Sequence, residues 1–243
     1  MIDLAPVSTP FALAVEEILL QRAEDGEQTT VRLWIGRPCI VVGRSQRIED
    51  EVDKASARLL GLGIARRMSG GGAVIHYPGN VNVSVVLAAR ERSRSVADTF
   101  EWIGAAIVGG LRAAFDVPIV AVGNRLQADR AKLGGAAQAR RRGATLYHTT
   151  MMVSACPPEY IDVLRAHHND YNPRGVRSRP APMTSLSDAL GRAVDPLDAA
   201  RAILLGLETT LGGVQQSGPL REEERRRASQ LLQTKYEHPS WTR

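Results

Sequence analysis

The chain of 243 residues is 44% hydrophobic and 23% charged, with a formal net charge of +5 at pH 7. This composition is that of an ordinary globular protein, which excludes a chain disordered throughout. No apolar run is long enough to span a membrane, and the first residues lack the basic start and apolar block of a secretory signal. We therefore expect a cytoplasmic protein that has no membrane partner.

The positive charge and the few cysteines narrow the classes of partner and site. An excess of Arg suits an anionic substrate or an acidic protein partner, and charge alone leaves nucleic acid open. Cys39 and Cys156 provide no disulfide framework, and the five histidines show no spacing typical of a zinc site. We expect both thiols to pack as small hydrophobic side chains.

The first part of the chain predicts a helix, two strands and a second helix. Residues 11–21 place apolar side chains at helical spacing, with two acidic residues between them, as in an amphipathic helix. Residues 30–35 alternate polar and apolar side chains as a strand does, and residues 38–43 form a short apolar run typical of a buried strand. Residues 49–60 have a helical pattern that Gly61 ends.

The rest of the chain predicts a hairpin, a long helix and further strands and helices. Residues 73–76 and 81–87 predict two strands joined by a strong turn signal at residues 77–80, and residues 96–115 predict a helix. Three strands and three helices follow, in chain order residues 126–128, 134–140, 145–153, 160–166, 195–211 and 221–236. Hairpins interleaved with helices indicate an α+β protein with a mixed, largely antiparallel β-sheet flanked by helices.

One segment, residues 172–182, has the composition of a linker. It contains three Pro, one Gly and three Arg and shows no periodic pattern. Composition alone leaves open whether it is a mobile loop over a site or a surface connection.

Ser69 and three consecutive glycines lie between the pair Arg66 and Arg67 and the predicted strand at residues 73–76. Glycines lose much backbone entropy on folding, so an ordered structure keeps three of them where side chains would obstruct a contact. Their N–H groups can form an anion-binding concavity, and one cation about 4 Å from a phosphate gains about 4 kcal/mol at an effective dielectric near 20. A flexible turn beside two solvated arginines is the other interpretation, and the residues alone leave both open.

A longer match narrows this choice. Residues 66–84, RRMSGGGAVIHYPGNVNVS, resemble the lipoate-protein ligase signature RRxSGGGAVxHxxGNxNxS. Residues 38–46 (PCIVVGRSQ), 132–138 (KLGGAAQ) and 147–152 (YHTTMM) are similar to three further segments of that family. The resemblance covers roughly residues 10–240 and implies the family's large catalytic domain, with the fold of biotin and lipoate protein ligases.

The resemblance implies an acid–amine ligase that uses ATP, Mg²⁺ and lipoate. Lipoate and Mg-ATP would give lipoyl-AMP and pyrophosphate. A lysine amine of an acceptor lipoyl domain would then displace AMP and form an amide. Such acceptors are commonly acidic in the family, so we expect an acidic lipoyl-domain partner rather than nucleic acid.

The resemblance also implies the site residues. Lys132 matches the family lysine that contacts the acyl carboxylate and the α-phosphate, which makes it the catalytic residue. A fixed ammonium suits this place because two anions must meet there and negative charge builds on the phosphoryl oxygens. The wider substrate- and adenylate-binding set comprises Arg67, Ser69, Gly70, Gly71, Gly72, Ala73, Val74, His76, Asn80, Lys132, Gly135, Ala137 and His148.

Individual roles within this set follow from the same match. Arg67 and the neighbouring glycine backbone would line the activated carboxyl end, while His76 and Asn80 would border the adenylate or organise its loop. His148 would help to shape the acyl pocket. No metal ligand is identified; Asp129 is a candidate for reaching a metal or the adenosine, although a turn would also explain an Asp there.

The chain departs from the family pattern at its end. Many complete ligases continue into a small C-terminal accessory domain, whereas this sequence ends where the large domain ends. We expect a single catalytic domain over residues 1–243, with the accessory domain absent or supplied by a separate accessory subunit. That departure puts unaided adenylation in doubt.

Three alternatives stay open. An acyltransferase that takes octanoyl or lipoyl groups from a carrier protein needs a cysteine nucleophile, for which Cys156 is a candidate without a neighbouring base in sequence. A biotin ligase would carry a G-R-G-R-x-G-R stretch, which is missing. A non-catalytic binder of lipoylated domains would use the Arg-rich surface, as at residues 140–142 and 225–227.

Overall fold

The computed structural model describes residues 2–26, 28–88, 94–212 and 219–242. Its strands are β1 (Ile2–Val7), β2 (Thr30–Gly36), β3 (Cys39–Val42), β4 (Gly63–Arg66), β5 (Val74–His76), β6 (Asn80–Leu87), β7 (Ile119–Val122), β8 (Arg125–Ala128), β9 (Ala131–Arg141) and β10 (Ala144–Met152). Its helices are α1 (Thr9–Glu24), α2 (Ile48–Glu51), α3 (Lys54–Leu59), α4 (Val96–Ala114), α5 (Pro158–Ile161), α6 (Leu186–Leu190), α7 (Pro196–Leu211) and α8 (Glu222–Leu231). Short 3-10 and π-helical turns follow at Arg165–His167 and Leu232–Tyr236.

Two sheets organise the molecule. The large sheet has the strand order β1-β2-β6-β10-β9-β8-β7, and only the β1–β2 pair in it is parallel. The small sheet has the order β4-β3-β5, with β3 parallel to β4 and antiparallel to β5. The predicted α+β class with a mixed, largely antiparallel sheet is confirmed. In the large sheet, His148 of β10 pairs with Ser84 of β6 and with Ala137 of β9, so these three residues lie side by side on neighbouring strands.

Helices cover both faces of the large sheet. The side chains of Val83 and Val85 on β6 belong to the core shared with α4 and α7, whereas Val86 packs with α1. Such alternation is the period-2 pattern of a strand buried on both faces. The α4–α7 contact is close because Gly110 and Gly206 face each other's helix, where a Cβ would stand 2.0 Å and 2.1 Å from a backbone oxygen. None of the helices in the described residues is long and apolar enough to cross a membrane.

The first helix is buried rather than amphipathic. It is predicted over residues 11–21, and the structure extends it to Thr9–Glu24, with its two central acids Glu16 and Glu17 buried. It is enclosed because the large sheet lies on one side and the C-terminal helical segment on the other. Glu17 accepts hydrogen bonds from Lys235 Nζ at 2.6 Å and from Tyr236 Oη at 2.8 Å, so that carboxylate anchors the C-terminal segment.

Two helix predictions are wrong in extent. The helix predicted over residues 49–60 is interrupted because Val52 pairs with Leu164 in a β-bridge, after which Asp53 caps the second part with its side chain. The same bridge explains why the helix predicted over residues 160–166 is confined to α5 and a 3-10 turn. The short elements β1, β4, β7 and α6 are not predicted by the sequence patterns. The other predicted elements are confirmed with small shifts of their ends.

Candidate active site

A cavity of about 510 Å³ opens between the two sheets and brings together most of the residues that the sequence singles out. Its walls come from α1, the segment before β5, β9, β10 and residues 176–183. Ten of the predicted site residues line it, namely Arg67, Gly71, Gly72, Ala73, Val74, His76, Lys132, Gly135, Ala137 and His148. A concave site of this volume is in the range of small-molecule pockets.

Four residues named by the sequence do not line the cavity. Ser69 is buried behind it, and Gly70 is exposed beside it. Asn80 is buried in the β5–β6 turn, where its amide donates to the Ile75 carbonyl and its side-chain oxygen accepts from Tyr77 N–H. Asn80 therefore shapes the hairpin rather than touching a ligand. Asp129 is exposed in the β8–β9 turn with a φ of 46°, so turn formation explains it.

The glycine segment is compact, with its backbone pressed against two neighbours. Gly71 has a φ of 91°, in the left-handed region that favours glycine. A Cβ at Gly43 would stand 2.1 Å from the Gly71 carbonyl oxygen, and one at Gly72 would stand 2.9 Å from Ser178 Oγ. Within the described residues, the N–H groups of Gly71 and Gly72 find no protein acceptor. These glycines therefore permit close packing and leave two backbone donors for a ligand.

Arg67 fixes the backbone of the glycine segment through hydrogen bonds. Its Nη2 donates to the carbonyls of Gly70 at 2.6 Å and Gly72 at 2.8 Å, and its Nη1 donates to the Val41 carbonyl at 3.0 Å. Burial lowers the pKa of its guanidinium to about 10. With these donors committed to the backbone, Arg67 organises the glycine segment more than it contacts a carboxylate, which refines the expected role.

Arg66, the other half of the basic pair, faces away from the cavity. Its Nη1 donates to the carbonyls of Gly43 at 2.9 Å and Gln46 at 2.6 Å, and its Nε donates to the Trp241 carbonyl at 2.7 Å. Trp241 Nε1 returns a hydrogen bond to the Arg66 carbonyl at 2.9 Å. The two arginines thus fix the loop around residue 43 and the glycine segment from opposite sides.

Lys132 extends from β9 into the cavity. Its backbone pairs with the segment across from it, donating to the Pro182 carbonyl at 2.7 Å and accepting from Thr184 N–H at 3.0 Å. Its side chain lies over Gly135, where a Cβ would be 2.9 Å from Cε and 3.0 Å from Nζ. Burial lowers the pKa of the ammonium, and the positive charges of Arg125 and Arg67 lower it further. No carboxylate of the described residues forms an ion pair with it.

The floor of the cavity is a buried polar cluster. His148 Nδ1 lies 2.9 Å from Glu16 Oε2, and His148 Nε2 lies 2.6 Å from Ser69 Oγ. Sequence reasoning missed Glu16. A signal existed, because a helix that is apolar almost all round must be buried, and a carboxylate within it then needs partners.

His76 stands on the same floor as a neutral side chain. Burial lowers its pKa to about 3. Its Nε2 lies 3.2 Å from Thr150 Oγ1, whose own proton goes to Asn82 Oδ1 at 2.8 Å, so Nε2 carries the ring proton. Nδ1 is then an acceptor, and it has no partner within the described residues.

Residues 171–183, which we name the strap, pass over the cavity, so the linker-like segment lies over the candidate site. Ser178 is its anchor, because its hydroxyl donates to Glu51 Oε2 at 2.6 Å and accepts from Gln46 Nε2 at 3.0 Å and Ala73 N–H at 2.9 Å. Its lining residues include Arg177 and Arg179, which are exposed at the mouth. The strap therefore adds positive charge to the entrance.

Two features bear on a metal and on a nucleophile. The described residues contain no group of three or more His, Cys, Asp or Glu side chains that would hold a metal ion. Glu16, the one carboxylate among the described lining residues, is already bonded to Ser84 and His148. This donor set does not fit Mg²⁺ held by protein side chains. Cys156 also lines the cavity, and burial raises the pKa of its thiol to about 12.

Comparison with known proteins assigns the family. The model of the lipoyl protein ligase A/B catalytic domain matches residues 8–208. Lipoate-protein ligase A subunit 1 of Thermoplasma acidophilum is 27% identical over 97% of this chain and 92% of its own length. An octanoyltransferase, LipM of Kyrpidia tusciae, is 30% identical over 96% of this chain and 94% of its own length. Relatives at similar distance thus include both a ligase and a transferase.

A solved structure agrees with this assignment over the whole fold. A Thermoplasma acidophilum protein with bound lipoic acid superposes with a TM-score of 0.83 at 25% identity, covering 100% of this chain and 97% of that one. Because these relatives are named as ligases and transferases, the chain is an enzyme of the ligase or transferase type, which sets aside a non-catalytic binder. The chain belongs to the family of lipoyl protein ligase A/B catalytic domains.

Proposed function

We propose that the chain is a lipoate-protein ligase, which activates lipoate with ATP and transfers the lipoyl group to a lysine of an acceptor lipoyl domain. Lys132 is the observation that carries this proposal. Its ammonium is buried in the cavity with Arg125 nearby and without a carboxylate partner in the described part of the chain. Neighbouring cations repel one another, and a bound anion would offset this repulsion. The cavity therefore favours an anionic ligand.

The first half-reaction joins two anions. A carboxylate oxygen of lipoate forms a bond to the α-phosphorus of ATP while the bond to pyrophosphate breaks, and no proton moves. Negative charge grows on the phosphoryl oxygens, where the Lys132 ammonium and the N–H groups of Gly71 and Gly72 would stabilise it. The contribution of the chain is positioning and electrostatics, so no covalent enzyme intermediate is needed.

The second half-reaction forms the amide. The neutral amine of the acceptor lysine attacks the acyl carbonyl, the carbon–oxygen bond to AMP breaks, and the attacking nitrogen loses one proton. The same Lys132 ammonium would polarise the carbonyl and stabilise the leaving phosphate. Mg²⁺ would enter with the phosphates of ATP, which provide the oxygen ligands that this cation prefers.

Charge and relatives support two protein partners. The cavity mouth carries Arg125, Arg177 and Arg179 beside Lys132, which would attract an acidic acceptor domain. The Thermoplasma relative is named subunit 1, and a solved structure is described as a bipartite ligase with its E2 lipoyl domain. We infer that adenylation by this chain also uses a separate accessory subunit.

The runner-up is acyl transfer from a carrier-protein thioester, favoured by the LipM relative and by Cys156 in the cavity wall. In that reaction a thiolate attacks the thioester, the carrier thiol leaves, and the acceptor amine then displaces the cysteine. A thiol pKa of about 12 leaves on the order of one thiol in 10⁵ ionised at pH 7. Burial and the negative charge of Glu159 raise the pKa of Cys156, and no hydrogen bond to a base lowers it within the described residues, so the ligase is the better supported proposal.

One experiment separates these reactions. The purified chain is incubated with an unmodified lipoyl domain and one of three donors: lipoate with Mg-ATP, preformed lipoyl-AMP, or octanoyl carrier protein, and products are followed by intact mass. A ligase modifies the domain from lipoyl-AMP, and Cys156→Ser keeps that activity. Modification from the carrier thioester alone, lost in Cys156→Ser, would reverse the assignment to transferase. A product from lipoyl-AMP but none from ATP would identify the need for an accessory subunit.

A further inference from the structure

A continuous chain of buried hydrogen bonds runs from the core to the glycine segment. Trp34 Nε1 donates to Ser84 Oγ at 3.0 Å, and Ser84 Oγ donates to Glu16 Oε1 at 2.6 Å. From the other end, Arg67 Nε donates to Ser69 Oγ at 3.1 Å. His148 joins the two halves through its contacts with Glu16 and Ser69. We name the part from Glu16 through His148 and Ser69 to Arg67 the relay.

The donors of the relay all run in one direction. Glu16 Oε1 accepts from the Ser84 hydroxyl, and Oε2 lies 2.9 Å from His148 Nδ1, so the carboxylate accepts and Nδ1 donates. Nε2 lies 2.6 Å from Ser69 Oγ, and the Ser69 hydroxyl has no other acceptor within the described residues, so it donates to Nε2. Ser69 Oγ in turn accepts from Arg67. The negative charge of Glu16 is thereby linked to the buried guanidinium, which it helps to keep charged.

A Ser–His–Glu arrangement of this kind also occurs in acyl-transfer enzymes, where the serine is the nucleophile. Here Ser69 is only 1% exposed and does not line the cavity. Its oxygen also accepts a hydrogen bond from Arg67 Nε, and Arg67 Nη2 donates to the carbonyls of Gly70 and Gly72. The geometry therefore indicates that Ser69 positions the Arg67 side chain and does not act as a nucleophile.

We propose that Glu16 is a positioning residue, which acts through His148 and Ser69 to hold Arg67 and with it the ligand-binding backbone of the glycine segment. This inference rests on the proposed function for its effect on the rate, but not for its effect on the structure. Glu16→Gln tests it, because an amide has one acceptor oxygen for the two donors of Ser84 and His148. The amide group would then donate to Nδ1 and move the ring proton to Nε2, opposite Ser69.

The matched control is Glu17→Gln on the same helix. Glu17 is also buried, but its partners Lys235, Tyr236 and Arg141 do not belong to the relay. Long-range ¹⁵N spectra of histidine-labelled protein report the His148 tautomer, and the Arg67 Nε–H and Gly71 amide signals report the segment. We expect Glu16→Gln to switch the tautomer and shift these signals, and Glu17→Gln to leave them unchanged.

The kinetic readout uses transfer from preformed lipoyl-AMP to a lipoyl domain. Displacement of the glycine segment should lower kcat/KM by roughly 10- to 100-fold in Glu16→Gln. Ser69→Ala, which cuts the relay at its other end, should have a similar effect and should not add to that of Glu16→Gln. Glu17→Gln and Ser69→Ala should combine additively.

The outcomes separate this inference from the proposed function. An unchanged tautomer and unchanged Arg67 signal in Glu16→Gln would overturn the inference, as would wild-type kcat/KM in a variant whose tautomer has switched. Fully additive effects of Glu16→Gln and Ser69→Ala would also contradict it. If the wild type transferred nothing from lipoyl-AMP, the proposed function would fail, while the spectra would still decide whether Glu16 positions the segment. Were Glu16→Gln unable to fold, Ser69→Ala would give the same Arg67 and Gly71 readouts.

Discussion

The contact between Gly135 and Lys132 allows the ammonium to be moved without changing its charge. In Gly135→Ala the new Cβ would stand 2.9 Å from Cε and 3.0 Å from Nζ of Lys132. Non-bonded carbon atoms rest about 3.5–4.0 Å apart, so the ammonium must move by roughly 0.5–1 Å. The obstructed atoms are the end of a flexible side chain, and φ at Gly135 is not positive, so the fold accepts the methyl group.

This displacement should affect the rate far more than the stability. A misplacement of about 1 Å at a reacting centre can lower a rate by about 10²-fold. We expect kcat for acyl transfer to fall by roughly 10- to 100-fold, which corresponds to about 1.4–2.7 kcal/mol of transition-state stabilisation. The assay is single-turnover transfer from preformed lipoyl-AMP to a lipoyl domain, followed by intact mass, with Tm measured on the same samples.

Gly109→Ala in α4 is the control, because no atom lies within 4 Å of the Cβ it would add. An alanine at this helical position should stabilise the fold by about 0.5–1 kcal/mol and leave the transfer rate unchanged. A folded Gly135→Ala variant that transfers at the wild-type rate would refute the reasoning, since the position of the Lys132 ammonium would then be irrelevant to the reaction.

Two further predictions concern pH and the strap. Because burial lowers the pKa of His76 to about 3, the unfolded state binds more protons than the folded state between about pH 6.5 and 3. The free energy of unfolding should therefore fall as pH drops through this window, by at most about 1.4 kcal/mol per pH unit. Urea titrations at several pH values should show that the free energy of unfolding of His76→Gln depends less steeply on pH than that of the wild type. Gly72→Ala would bring a Cβ within 2.9 Å of Ser178 Oγ and 3.0 Å of its Cα, so the strap must shift. Limited proteolysis should then cut residues 171–183 faster than in the wild type, and equal rates would contradict the close packing.

The residues that line the cavity were the predictable part of the site. Residues 71–76 and Lys132 belong to long motifs, and the structure brings them to one cavity. Asn80 belongs to the same motif yet serves the hairpin, because a motif records that a residue type fits a position and not which atoms it touches. The close approach of Gly72 to Ser178 depends on a strap about 100 residues further along the chain, which no local pattern contains.

The missed features are those that depend on tertiary contacts. The sequence pattern predicts that Glu16 occupies a polar position of an amphipathic helix. In the structure its partners are Ser84 and His148, which lie on two strands of the large sheet. The break between α2 and α3 comes from the bridge of Val52 to Leu164, and helical periodicity continues through it. Strand β7 has four residues and lies at the sheet edge, so its pattern is too short to stand out from a loop.

The central claim is that Lys132 serves acyl-adenylate chemistry in this cavity. Transfer from preformed lipoyl-AMP to a lipoyl domain, compared between the wild type and Lys132→Met, tests it most directly because an accessory subunit for adenylation is not needed. We predict transfer by the wild type and a loss of at least about 100-fold in Lys132→Met, with Tm maintained because the repulsion from Arg125 and Arg67 is relieved. Equal transfer by the two proteins, or transfer by neither, would contradict the account.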